Sequence, residues 1–184
     1  MKEGMVIKII ENNGETMIFR YPRWQDVPAY VKMCNILHQE CVMAYHAETD
    51  FAKGCRMLSD ILVGLETGKR SHLLIETNGE IIGEGSMQLG PAHRTGTLGI
   101  KVISKYHRRG LGTEMMYLLE EEARKLGLQR SYLHVWAIND AALHLYKKVG
   151  YRDIGRLPDW YSMKDKAGNQ IYSDLIEMIK DLGE

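Results

Sequence analysis

The sequence predicts a mixed α/β fold, an α+β arrangement with a mostly antiparallel central sheet flanked by helices. Two Asn-Gly turns join short apolar runs of strand length, and segments of helical period are interleaved between such runs. A third observation is the stretch from Leu98 to Thr113. It opens as a strand, turns through a basic loop carrying Gly110 and Gly112, and runs straight into a helix.

Residues 5–10 and 16–21 are apolar-rich runs around Asn12-Asn13-Gly14, a hairpin signal. Residues 24–39 read as a helix, with Val27, Tyr30, Val31, Cys34 and Leu37 at helical spacing. Pro28 sits near its start, where a missing N–H does little harm. Residues 40–51 have no clean period and read as a loop. The helical period returns over 55–65, with Gly68 as its cap. Strands follow at 72–76 and 81–88 around Asn78-Gly79, and Gly83 and Gly85 mark a bulge or a close backbone approach. Residues 95–103 form a strand and 113–126 a helix. That helix turns Met115, Met116, Leu119, Ala123 and Leu126 inward and Glu120, Glu121 and Arg124 to water, so the Glu120-Glu121-Glu122 run reads as a solvated face. A strand at 130–136, a helix at 140–149 ended by Gly150, and strands at 151–156 and 170–179 with a loop between them complete the chain. No repeat or linker divides it, so one domain over 1–184 is expected.

Composition excludes several classes. Apolar residues make up 45% of the 184, an ordinary globular value. Lys plus Arg equals Asp plus Glu, which argues against a nucleic-acid partner. No apolar run approaches bilayer length, and the N-terminal segment is too short and polar for a signal peptide, so no membrane association is expected. Cys34, Cys41 and Cys55 fit no disulfide framework, and a reducing, cytoplasmic setting is the expectation. Cys34, His38 and Cys41 share a helix face but match no common zinc spacing, and no metal site is expected.

The Leu98–Thr113 stretch has the chemistry of an anion site. Backbone N–H groups at a helix start are unpaired, and the helix dipole adds partial positive charge. Gly110 and Gly112 lack a Cβ and let a phosphate approach, while Arg108 and Arg109 add charge. There is no Gly-x-Gly-x-x-Gly and no Gly-Lys-Ser/Thr, so dinucleotide and Walker readings are poorer.

His107-Arg108-Arg109-Gly110-Leu111-Gly112 resembles the (Gln/Arg)-x-x-Gly-x-(Gly/Ala) loop of the GNAT superfamily of N-acetyltransferases, with His107 departing from the usual first residue. The segment from Asn139 to Tyr151 resembles that superfamily's Asn-x-x-Ala-x-x-Leu-Tyr-x-Lys-x-Gly-(Phe/Tyr) motif, and the closing stretch from Tyr172 to Met178 resembles a common ending. The resemblance implies a GNAT-like fold, acetyl-CoA as donor and a primary amine as acceptor. It implies that Ile100, Lys101 and Val102 pair with the pantetheine arm. Backbone N–H groups of Arg108, Arg109, Gly110, Leu111, Gly112 and Thr113 would hold the pyrophosphate, with Asn139 near the CoA arm. The acceptor is read as a small-molecule amine. A protein N-terminus, or a sensor that binds acyl-CoA without turnover, are the alternatives, and a homodimer is compatible with the chain.

Acetyl transfer needs a neutral amine, donors for the oxyanion and an acid for the thiolate. Tyr146 occupies the motif position that, by resemblance, lies near the CoA sulfur, and it is the acid candidate; a packed helix tyrosine is the plain alternative. His134 is the base candidate. Imidazole titrates near neutrality, and relatives often carry a glutamate there; a hydrogen-bonded sheet histidine is the plain alternative. No carboxylate stands near Thr97, and Glu84 is a fallback base read as an exposed strand carboxylate. The backbone N–H near Ile100 is the oxyanion donor by resemblance. Tyr45, His46, Asp50, Trp160 and Tyr161 are candidates to line the acceptor site, or else local packing.

Overall fold

A computed structural model describes residues 3–40, 42, 47–90, 94–164 and 169–183. Its frame is an eight-stranded sheet in the order β1-β2-β3-β4-β5-β6-β8-β7. The strands are β1 (Val6–Asn12), β2 (Glu15–Arg20), β3 (Arg70–Thr77), β4 (Glu80–Leu89), β5 (Thr95–Val102), β6 (Arg130–Trp136), β7 (Arg152–Lys164) and β8 (Gln170–Asp181). The helices are α1 (Val27–Gln39), α2 (Phe51–Glu66), α3 (Leu111–Lys125) and α4 (Asp140–Lys148). Every pairing is antiparallel except β5 with β6. The expected mixed, mostly antiparallel sheet flanked by helices is what the chain forms.

Asn13 and Asn78 take positive φ with Gly14 and Gly79 behind them, the geometry a two-residue hairpin turn requires. Successive residues of β4 point to opposite faces and sort the helices. Glu84 meets Tyr30 of α1 on one face. On the other, Gly85 faces α3: a Cβ there would lie 2.6 Å from Met115 Cγ and 2.8 Å from Leu119 Cδ1. Gly85 therefore marks a close approach of helix to sheet. α2 lies beside α1, and α4 beside α3, where Leu145 approaches Gly112. One continuous core joins the two layers through the sheet, with Phe19, Tyr30, Leu73, Met87, Met115 and Leu133 among its members.

Three expectations are corrected. First, residues 157–164 are not a loop: β7 continues through them to Lys164. Pro158 lies within it, which is tolerated because β7 is the sheet edge, where a missing N–H costs no ladder bond. A register shift between Leu157 and Tyr161, with Asp159 at φ 48°, absorbs the irregularity. Asp174 fastens it, accepting from Asp159 N at 2.9 Å and Arg156 Nε at 2.5 Å.

Second, the acidic run of α3 is not a solvated face: Glu120 and Glu122 are buried, and only Glu121 is exposed. Lys180 of β8 places its Nζ 2.7 Å from both Glu120 oxygens. Glu122 accepts from the Tyr21 hydroxyl, from Ser71 Oγ at 3.2 Å and from Lys125 Nζ at 2.7 Å. Burial and the neighbouring carboxylate push the Tyr21 phenol well above its ordinary range. Buried carboxylates are tolerated because each is fully partnered. Third, helix starts fall earlier than the apolar period suggested: α2 starts at Phe51, where Asp50 caps it, and α3 at Leu111, directly behind Gly110 in the left-handed region.

Filling the Gly85 approach should be costly. Gly85→Val should destabilise the protein by about 1–3 kcal/mol through overpacking against Met115 and Leu119. A shift of the urea unfolding midpoint at unchanged slope measures it.

Candidate active site

The site begins where the one parallel pairing ends. β5 and β6 pair only at Thr95 with Arg130, Gly96 with Ser131 and Thr97 with Tyr132. Beyond that point β5 keeps only β4, and β6 keeps only β8. The strands splay, and a cleft of about 510 Å³ opens between them. Leu98, Gly99, Ile100 and Lys101 form one wall, and His134, Val135 and Trp136 the other. Ile138, Asn139 and Tyr146 line the end toward α4, while Glu40 and Val42 lie across the face nearest α1. The bare edge of β5 presents main-chain donors and acceptors to whatever extended group enters.

Past β5 the chain is held tightly. Ile103 N donates to Ile82 O at 2.9 Å, and His107 Nε2 lies 2.7 Å from Val102 O. The departure at His107 thus has a local use, a bond back to the strand. Arg108 takes φ 60° and Gly110 φ 78°, and α3 starts at Leu111 with no side chain capping it. The first bond of this turn is Glu114 N to Gly110 O at 3.1 Å, so the N–H groups of Leu111, Gly112 and Thr113 precede the helical ladder. Space beside Gly110 is open, with nothing within 4 Å of an added Cβ.

Gly112 and Arg109 serve differently from expectation. A Cβ on Gly112 would stand 3.1 Å from Leu145 Cδ2, so this glycine lets α4 pack on α3. The Arg109 guanidinium is 2.5 Å from Glu15 Oε2 and lies over the Tyr106 ring at 4.7 Å, while its carbonyl accepts from Asn12 Nδ2 at 2.8 Å. Its charge is spent on the β1–β2 hairpin, and Arg108 is the exposed guanidinium of the loop.

Tyr146 and His134 face the same cleft. Tyr146 is buried, its ring packed on Tyr151 at 6.1 Å, and burial pushes its phenol up to about 12. It is therefore protonated at neutral pH. His134 is exposed between buried Leu133 and Val135, as strand alternation requires, with the Tyr132 ring edge-on at 6.2 Å. Register and alternation place Ser86, Gln88, Thr97 and His134 on the α1 face of the sheet. Asn139 caps α4, its Oδ1 accepting from Ala142 N at 3.1 Å.

Glu84 is not an exposed strand carboxylate; it is buried beneath α1. Its Oε2 accepts from Tyr30 Oη at 2.8 Å and lies 3.1 Å from His72 Nε2, and its Oε1 accepts from Lys101 Nζ at 3.2 Å. Lys101 lines the cleft and Glu84 does not. Strand alternation alone could not show this, because the covering helix is remote in sequence.

Asp50 caps α2 through Lys53 N at 2.6 Å rather than lining the cleft. Trp160 is exposed, and Tyr161 packs against Trp136 at 4.8 Å. Tyr45, His46 and Cys41 lie outside the described residues. Cys34 is buried and Cys55 half-buried, and among the described residues no cluster of metal-ligating side chains occurs. No helix of the described residues is long and apolar enough to cross a membrane. Sequence reasoning missed Glu40, Val42, Trp136, Ser86 and Gln88. Strand parity with His134 could have found the last three.

A splayed pair of strands opening beside a helix start with free N–H groups makes a cleft that suits an extended ligand with an anionic end. Residues 30–151 match the model of the Acetyltransferase (GNAT) family, and the chain belongs to that family. A 46-residue stretch is 44% identical to the uncharacterized N-acetyltransferase YdgE of Bacillus subtilis, covering 25% of this chain and 29% of that one. A 71-residue stretch is 28% identical to an N-alpha-acetyltransferase of Sulfurisphaera tokodaii, covering 38% and 42%. The matched stretches thus span less than half of either relative. In fold, the chain is similar to yncA of Salmonella typhimurium, solved with acetyl-CoA: TM-score 0.73, 21% identity, 91% of this chain and 95% of that one.

The buried phenol makes stability sensitive to alkali. Ionising Tyr146 costs more in the fold than in the unfolded chain, so its contribution is intact below pH about 10 and is lost as pH rises through about 12. Between pH 8 and about 11.5 the wild type should lose about 2 kcal/mol more than Tyr146→Phe, measured by urea unfolding at both pH values.

Proposed function

We propose that the chain, acting as one domain over residues 1–184, transfers an acetyl group from acetyl-CoA directly to a primary amine of a small molecule. The observation that carries this is the coincidence, on one strand and its outgoing loop, of a bare edge at Leu98–Val102 and an uncapped helix start behind Gly110. An extended pantetheine arm suits the first, with Ile100, Lys101 and Val102 beside it, and a pyrophosphate suits the second. The Salmonella protein of like fold holds acetyl-CoA, which supports the same donor here.

In this reading the amine attacks the thioester carbonyl, the C–N bond forms, and the tetrahedral oxyanion accepts from backbone N–H near Ile100. Collapse breaks the C–S bond. The departing thiolate takes the Tyr146 proton, whose pKa near 12 keeps it available at neutral pH. The proton shed by the amine goes to His134, directly or through water, and on to solvent from its exposed ring.

Glu40 and Val42 narrow the acceptor face of the cleft, which favours a small amine. The stretch similar to an N-alpha-acetyltransferase supports a second reading, an α-amine at a protein N-terminus. A sensor without turnover has no need of a leaving-group acid, and Tyr146 argues against it. A cytoplasmic setting fits a sequence whose three cysteines match no disulfide framework.

An acetyl-CoA turnover screen against simple amines, polyamines, amino acids, aminoglycosides and N-terminal peptides decides among these. Turnover of small amines is the expected result; preference for peptides selects the second reading, and none at all selects the sensor. Gly110→Asp should weaken acetyl-CoA binding at least about tenfold by calorimetry, since it places a carboxylate at the open helix start. Tyr146→Phe should lower kcat roughly a hundredfold, and His134→Ala should abolish the imidazole limb of the pH–rate profile.

A further inference from the structure

α1 is bolted to the donor strand by polar contacts at two places along its length. Near its first turns, Tyr30 Oη donates to buried Glu84, and Glu84 in turn accepts from Lys101 Nζ of β5 at 3.2 Å. At its end, the Glu40 carboxylate receives both groups of Ser104: the backbone N–H at 3.0 Å to each oxygen, and Oγ at 2.5 Å to Oε1. Ser104 opens the short turn Ser104–Tyr106 that leads from β5 into the Arg108–Thr113 loop. Glu40 also lines the cleft, and the backbone behind it is held by Glu40 N to Ile36 O and Val42 N to Leu37 O, each at 3.0 Å.

The two sides of the cleft are therefore joined by one carboxylate. Ser104 belongs to the donor side and Glu40 to the acceptor side, 64 residues apart in the chain. We propose that Glu40 is a positioning residue: through Ser104 it transmits occupancy of the donor site to the last turn of α1, so that binding CoA orders the acceptor wall. The inference rests on the acyl-CoA reading of the site. A charged acceptor receiving a main-chain N–H and a hydroxyl makes a stronger and more directional link than apolar packing alone. Coupling of this kind requires a contact that both sites bias, and this contact is continuous with both.

The test uses the full chain and CoA itself as probe, read by amide hydrogen exchange. In wild type, CoA should slow exchange about tenfold or more both in the Arg108–Thr113 loop and at the amides of Glu40 and Val42. In Glu40→Ala the loop should remain protected by CoA, while the effect at Val42 falls below about twofold. Ser104→Ala, which keeps the main-chain donor, should give an intermediate loss, and Glu40→Gln, which keeps an acceptor oxygen, should restore part of the response. Undiminished protection of Val42 in Glu40→Ala would overturn the proposal and mean that CoA covers this turn directly. Loop protection without any response at Glu40 and Val42 in wild type would overturn it as well. Absence of loop protection in wild type would instead overturn the acyl-CoA reading, and this inference with it.

Discussion

The short register between β5 and β6 is the constraint on which the rest of the architecture depends. A parallel pair of only three residue pairs divides the sheet into β1–β5 and β6–β8. The halves are otherwise joined by α3 and the segments around it. Had the pairing run on to Val102, the edge of β5 would be saturated by β6 and no main-chain group would be left to meet a ligand. The splay leaves that edge bare, and the loop that follows then delivers a helix start close to it. Gly110 in the left-handed region and Arg108 beside it turn the chain sharply enough to do so.

Around this seam the polar groups divide into those facing the cleft and those committed to holding its walls. Glu84, Glu120, Glu122 and Glu15 each neutralise a cation or receive a hydroxyl, and none of them faces the cleft. The cleft receives Tyr146, its phenol raised further by burial, and His134, open to solvent. In the proposed reaction the first would give a proton to the leaving thiolate and the second would take one from the amine.

How much of this could be read in the chain varied with how local the cause is. The hairpins were legible because Asn-Gly carries its own turn geometry, and β6 has the bounds its apolar run suggested, Arg130–Trp136. The strand–turn–helix from Leu98 to Thr113 was legible for the same reason: strand, glycine and helix start are contiguous in sequence. β7 was not, because its tolerance of Pro158 depends on being the last strand of the sheet. The burial of Glu120 depends on Lys180, 60 residues away, and that of Glu84 on a helix folded over it. Glu40 and Val42 were invisible as cleft residues because α1 reaches the donor strand only through tertiary packing.

The pairing of Arg109 with Glu15 has a kinetic meaning. A loop that met its anion with two free guanidiniums would draw it in over a Debye length and lose that advantage steeply with salt. Here one of the two is already neutralised and stacked on Tyr106. On the proposed reading, short-range main-chain donors would therefore carry more of the binding than a long-range field. Association with an anionic ligand should therefore fall less steeply with ionic strength than two unpaired guanidiniums would make it, with Arg108 carrying the part that remains.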